Sequence, residues 1–237
     1  MKRLVLAFGF LTRLPTPRVD ADAADFAAAI RAYPLVGIAI GACVAGTGWL
    51  GGRIDPWTGA LAALAMWVAV TGALHLDGLS DLADGLGAAH KDRDRMLAVM
   101  ADPHVGSFGV VAIVMQLIAK LVLLHDVAET GLAPIIAVPF AARIGPLVWA
   151  KWLPALKPGL GASVARAVRM RDILGWVLIL AAAATIVPAL VTAPFLVAGW
   201  WLWLRRRLGG ISGDCHGAGI ELVETGLLLA LLVASRL

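Results

Sequence analysis

Three aspartates recur in one short stretch, His75-Leu76-Asp77-Gly78-Leu79-Ser80-Asp81-Leu82-Ala83-Asp84-Gly85-Leu86-Gly87. At 100° per residue, Asp77, Asp81 and Asp84 fall within an arc of roughly 60° on one helical face, while the leucines occupy other faces and can pack. Carboxylates so placed repel one another unless a cation stands among them. Mg²⁺ is the usual answer, because it takes oxygen ligands, keeps waters and is often shared with substrate phosphates. A solvated helix end is the bland alternative, but such a face seldom needs three Asp with no interleaved Lys.

Other residues could join this chemistry. Asp102, just before an apolar run, could cap a helix start or reach the metal site. The loop Gly209-Gly210-Ile211-Ser212-Gly213-Asp214 offers Asp214 as a further carboxylate, with Gly213 beside it. Gly159 and Gly161, in Lys157-Pro158-Gly159-Leu160-Gly161, suit a turn that cradles phosphate, although a plain connecting loop would look the same. Lys120 and Arg143 lie inside apolar runs, where a charge normally faces a cavity or a partner; an anionic substrate or the Asp cluster would serve either. Glu221 and Glu224 share one face of the last apolar run. His90-Lys91-Asp92-Arg93-Asp94-Arg95 alternates in sign, as a solvated helix face does. No phosphate-binding P-loop, nucleophile elbow or dinucleotide fingerprint is found.

The elements that must position these residues are apolar. Of the 237 residues, 60% are hydrophobic and 15% charged, with a mean hydropathy of +0.86. Soluble domains carry about 25% charged residues, so the natural solvent for most of this chain is lipid. Nine Trp against one Tyr fits interfacial anchoring. Cys43 and Cys215 make no metal or disulfide pattern. Apolar runs at Tyr33–Leu50, Trp57–Leu76, Phe108–His125, Leu132–Ala150, Ile173–Leu204 and Ile220–Ala234 are candidate spans. The fifth would reach roughly 48 Å as one helix, so Pro188 and Pro194 are expected to break it near Thr192. The expectation is an all-α, polytopic membrane helix bundle of about seven spans, residues 1–237 forming a single integral membrane domain. Met1-Lys2-Arg3 followed by Leu4–Leu11 reads as a retained interfacial or half-inserted segment, since no small-residue cleavage site follows.

With a cytoplasmic N-terminus, Lys91, Arg93, Arg95, Lys151, Lys157, Arg166, Arg169, Arg171 and Arg205–Arg207 all fall on the cytoplasmic side, as the positive-inside rule asks. The net charge of +4 is thus read as orientation in a membrane, not as nucleic-acid binding. Every long polar loop then faces the cytoplasm of a bacterial inner membrane. No internal repeat of the transporter kind is seen.

Leu76-Asp77-Gly78-Leu79-Ser80-Asp81-Leu82-Ala83-Asp84-Gly85 is similar to the L-D-G-L-[AS]-D-x-A-D-G signature of the cobalamin synthase family. Phe10-Leu11-Thr12-Arg13-Leu14-Pro15, Tyr33-Pro34-Leu35-Val36-Gly37, Asp102 through Gly109, Arg143, Gly159-Leu160-Gly161 and Gly209 through Asp214 agree in the same order. The resemblance spans nearly the whole chain. It implies an adenosylcobinamide-GDP ribazoletransferase: a hydroxyl of α-ribazole, or of its 5′-phosphate, attacks the phosphorus nearest the cobinamide, and GMP leaves. It implies Mg²⁺ held by Asp77, Asp81 and Asp84. Asp214 or Asp102 would complete the site or act as base, and Arg143, Lys120 and Arg13 would grip phosphate. An oligomer is compatible with all of this.

Two other readings stand beside it. A CDP-alcohol phosphotransferase or prenyltransferase-like enzyme would use similar acids, but the first needs D-G-x-x-A-R and the second a further Asp-rich run. A transporter would use Asp81 and Glu224 as cation sites.

Overall fold

The computed structural model describes residues 1–88, 92–127, 131–156 and 160–236. Among these every regular element is helical, as expected, and one parallel backbone bridge joins Ala155 to Ile211. A short α1 (Lys2–Leu11) and α2 (Ala23–Ala28) lead through a 3-10 turn into α3 (Tyr33–Gly52). Then come α4 (Pro56–Thr71), α5 (Leu74–Ala88), α6 (Arg93–Val99) and α7 (Ser107–Val127). They are followed by α8 (Leu132–Ala142), α9 (Gly145–Trp152), α10 (Leu160–Ala167), α11 (Met170–Ala184), α12 (Ala193–Arg207) and α13 (Gly213–Ala234).

The boundaries follow from local chemistry. Asp55 accepts the Trp57 and Thr58 N–H groups at 2.9 and 3.1 Å and so starts α4, with Pro56 just inside; a capping acid followed by proline is a strong helix start. Ser212 caps α13 by accepting the Cys215 N–H at 3.2 Å. The long run from 173 to 204 divides as its prolines predict, into α11 and α12 with a 3-10 turn at Pro188–Thr192.

Packing is inside-out relative to a water-soluble bundle. Helix α7 exposes Phe108, Val111, Met115, Ile118 and Val122, a stripe at three- and four-residue spacing, and buries Gln116 and Lys120. Apolar groups face outward and polar groups inward, the arrangement a lipid solvent selects.

Among the described residues, four helical stretches are long and apolar enough to cross a membrane: Ala23–Gly52, Ser107–Val127, Pro134–Trp152 and Gly213–Ala234. A fifth is reached if α4 and α5, bent by 84°, count as one broken span. The expected count of about seven is not reached by this measure. Helices α11 and α12 have 15 residues each, about 22 Å, short of a hydrocarbon core of about 30 Å. The expected span Trp57–Leu76 instead ends at Thr71, where Gly72 and Ala73 both take left-handed backbone, φ +60° and +59°.

The two ends of the bundle are held differently, and the one that carries α5 is the more polar. At the polar end the Arg13 N–H donates to Val70 O (2.8 Å), the Leu156 N–H to Ile211 O (2.9 Å), and the Arg31 guanidinium to Ala167 O. At the other end Trp57 stacks on His125, ring centres 4.0 Å apart, and Arg236 reaches Asp126 at 3.3 Å.

Candidate active site

The Asp-rich helix α5 lies across the polar end because of the turn that precedes it. A left-handed conformation costs a residue with a Cβ about 1 kcal/mol or more, and Gly72 takes it freely. Nor is there room for a side chain: a Cβ on Gly72 would collide with Arg13 Nε. Arg13 is thereby packed beside the start of α5, about one turn before Asp77, with its side chain exposed.

Along α5 the three acids differ in setting. Asp77 is exposed, Asp81 half-buried and Asp84 buried. Gly78 explains how Asp214 joins them. A Cβ there would lie 2.8 Å from Asp214 O, so the α5 backbone touches the start of α13 directly. Asp77, Asp84 and Asp214 are all close enough to Asp81 for their charges to act on it. Asp214 Oδ2 also accepts the Ser212 hydroxyl at 3.2 Å. Gly213, exposed, is the first residue of α13.

Asp84 does something the spacing does not predict. Its two carboxylate oxygens accept the Gly106 and Gly109 N–H groups at 2.8 and 2.9 Å. It therefore fastens the first turn of α7, whose leading amides have no partner within the helix. A side chain at Gly109 would strike Ser80 Oγ and Asp84 Oδ2.

Asp102 keeps to its own turn. Its carboxylate accepts the His104 N–H at 2.9 Å and meets the His104 ring at 2.6 Å. The amide and then the ring hold Asp102 below the ordinary carboxylate range, as hydrogen bonds to the charged form do. Gly159 and Lys157 lie outside the described residues, as do His90 and Lys91. Gly161 is the second residue of α10; its backbone is helical, so the expected glycine turn does not include it.

The charges inside the spans find one another. Lys120 Nζ lies 2.7 Å from Glu221 Oε2 and 2.6 Å from Glu224 Oε2, and Arg143 Nη1 lies 2.6 Å from Glu224 Oε1. Gln116 Nε2 donates to Glu221 O and Oε2, both at 2.9 Å, and Lys120 sits 4.3 Å from the Trp67 ring centre. A substrate anion or the Asp cluster is what the sequence suggests as partner for these cations; the two glutamates of α13 take that place. Glu224, holding Lys120 and Arg143, is not a free cation site of the kind a transporter would need. His75, buried on α5, has no hydrogen-bond partner for either ring nitrogen among the described residues, and Arg143 Nε and Nη2 lack one too. Sequence reasoning passes over His75; its one signal is an ionisable residue at the end of an apolar run, two positions before Asp77.

Whether these residues suit a divalent ion turns on the donor set. Among the described residues no three His, Cys, Asp or Glu side chains form a ready ligand group. Asp77, Asp81 and Asp214 are nonetheless oxygen-only donors of like charge gathered at the polar end. That set fits Mg²⁺, which is held by one or two carboxylates plus waters and substrate phosphates, better than it fits a metal needing an all-protein cage.

Helices with apolar exteriors and charges turned inward define an all-α membrane protein. The family model described as Cobalamin-5-phosphate synthase matches residues 3–232. An adenosylcobinamide-GDP ribazoletransferase of Novosphingobium aromaticivorans is 58% identical, over 98% of this chain and 97% of its own. Proteins of the same name from Laribacter hongkongensis (52% identical; 100% and 99%) and Thiobacillus denitrificans (47%; 97% and 94%) are also similar. No solved structure matches the chain. The chain belongs to the cobalamin-5-phosphate synthase family and is a transferase.

Proposed function

We propose that this protein joins adenosylcobinamide-GDP to α-ribazole, or to α-ribazole 5′-phosphate, giving adenosylcobalamin, or its 5′-phosphate, and GMP. The observation that carries this reading is the kinship with ribazoletransferases along the whole length, together with the acid group built by the α5–α13 contact at Gly78.

The reaction is a displacement at phosphorus. The ribazole hydroxyl oxygen forms a new P–O bond to the phosphorus nearest the cobinamide; the P–O bond to GMP breaks, and the hydroxyl proton passes to a base. Such transfers depend on positioning and charge neutralisation more than on covalent chemistry. Mg²⁺, when bound, would neutralise the diphosphate. Asp77 and Asp81 would hold it, and the half-buried Asp214 would complete the site or take the proton. Asp84 would act one step back, fixing α7 against α5. Arg13, exposed beside the start of α5, would meet a phosphate. The polar end, with its arginines, would face the cytoplasm of a bacterial inner membrane.

The test is GMP release from adenosylcobinamide-GDP and α-ribazole by the purified protein, with and without Mg²⁺. Wild-type rates in both Asp77→Asn and Asp81→Asn would rule out the proposed acid site. Absence of GMP release, with solute flux across liposomes, would favour the transporter reading instead.

A further inference from the structure

A second polar feature lies at the same end of the bundle, away from the aspartates. A cavity of about 480 Å³ is lined by Arg3 of α1, the alanines of α2, Arg31, and Ser163 and Arg166 of α10. Three guanidinium side chains and a hydroxyl thus share one cavity, and no acidic residue lines it among the described residues. The nearby acids are Asp25, paired with Lys2 at 2.6 Å and within reach of the charge of Arg3, Asp172, paired with Arg31 at 3.2 Å, and Asp20 and Asp22, whose charges act on Lys2; Arg31 also donates to Ala167 O, so Arg3 and Arg166 are the guanidinium groups left to meet a ligand. The charges of Arg3, Arg169 and Arg171 all act on Arg31. Six cations, Lys2, Arg3, Arg31, Arg166, Arg169 and Arg171, against four carboxylates, Asp20, Asp22, Asp25 and Asp172, leave positive charge over, and that calls for an anion from outside.

Guanidinium forks match phosphate oxygens. Alanines of α2, among them Ala24 and Ala27, line the rest of the cavity. The walls are α1 and α10 with the entry to α3. We propose that this cavity binds a phosphate group, supplied by the headgroup of an anionic phospholipid at the membrane surface. This is independent of how the acid site is read. It would clamp α1 and α10 to the bundle and root both at the anionic leaflet surface.

The test titrates the purified full-length protein, in mild detergent, with phosphatidylglycerol, phosphatidylcholine or inorganic phosphate, and follows the thermal midpoint. Phosphatidylglycerol is expected to stabilise the wild type and phosphatidylcholine to do so far less. In Arg3→Gln/Arg166→Gln the apparent affinity for phosphatidylglycerol should weaken about tenfold or more, as expected for lost charge-assisted bonds. Arg236→Gln, at the opposite end, should behave as wild type. If inorganic phosphate reproduces the effect in wild type and not in the double variant, the site takes a soluble phosphate. If the double variant fails to fold, Arg166→Gln alone serves, because Arg166 is exposed and its bond to Ser163 Oγ is a long 3.4 Å contact. An equal response of wild type and variant to every additive would overturn the proposal.

Discussion

At the scale of single residues, the aspartates of α5 separate by what they touch. Asp77 and Asp81 are accessible, whereas Asp84 spends both oxygens on backbone amides. Asp77→Asn and Asp81→Asn should therefore lower the rate of GMP release by at least about a hundredfold, the scale of losing charge stabilisation at a transferring group, with little change in melting temperature. Asp84→Asn should lose both, because its amide nitrogen would face a donor instead of accepting from it; helix-cap losses of this kind cost about 1–2 kcal/mol. Melting curves and rates measured on the same preparations separate the two patterns. The buried ion group gives a different expectation. Glu224→Gln leaves Arg143 and Lys120 under-compensated, and breaking a buried pair from one side costs about 3–5 kcal/mol. A thermal midpoint unchanged in that variant would refute it. The sequence marks these charges as costly but not as one another's partners. Their pairing depends on how α7, the α8–α9 junction and α13 are packed, and no local spacing carries that.

At the scale of elements, the site is made by two backbone events. The left-handed pair Gly72–Ala73 turns the chain by 84° out of α4, and Gly78 lets α5 lie on the start of α13. Gly78→Ala should push α5 away from Asp214. We expect a fall in activity larger than any fall in stability, read by comparing its rate with that of a surface Gly→Ala such as Gly175→Ala, which meets nothing within 4 Å. Helical spacing makes the Asp face legible, and the prolines foretell the break between α11 and α12. The end of α4 is not legible. Thr71, Gly72, Ala73 and Leu74 continue the uncharged run of the helix before them, and hydropathy does not register the sign of φ. Asp84's task is equally hidden, since its partners Gly106 and Gly109 come from the far side of α6, at the start of another helix.

At the scale of the whole molecule, outward apolar stripes and inward charges describe a bundle solvated by lipid, with its acid chemistry at one end. Among the described residues, the charges sealed between α7, α8–α9 and α13 are two cations, Lys120 and Arg143, and two anions, Glu221 and Glu224, while the other buried carboxylate, Asp84, lies apart on α5. Moving one elementary charge through 100 mV takes about 2.3 kcal/mol; for a set that sums to zero this electrical work cancels. The resting voltage of a living bacterium should then neither drive nor strain this core. In proteoliposomes polarised with potassium and valinomycin, turnover should match that of depolarised vesicles, and a clear voltage dependence would mean that some buried charge moves during the cycle.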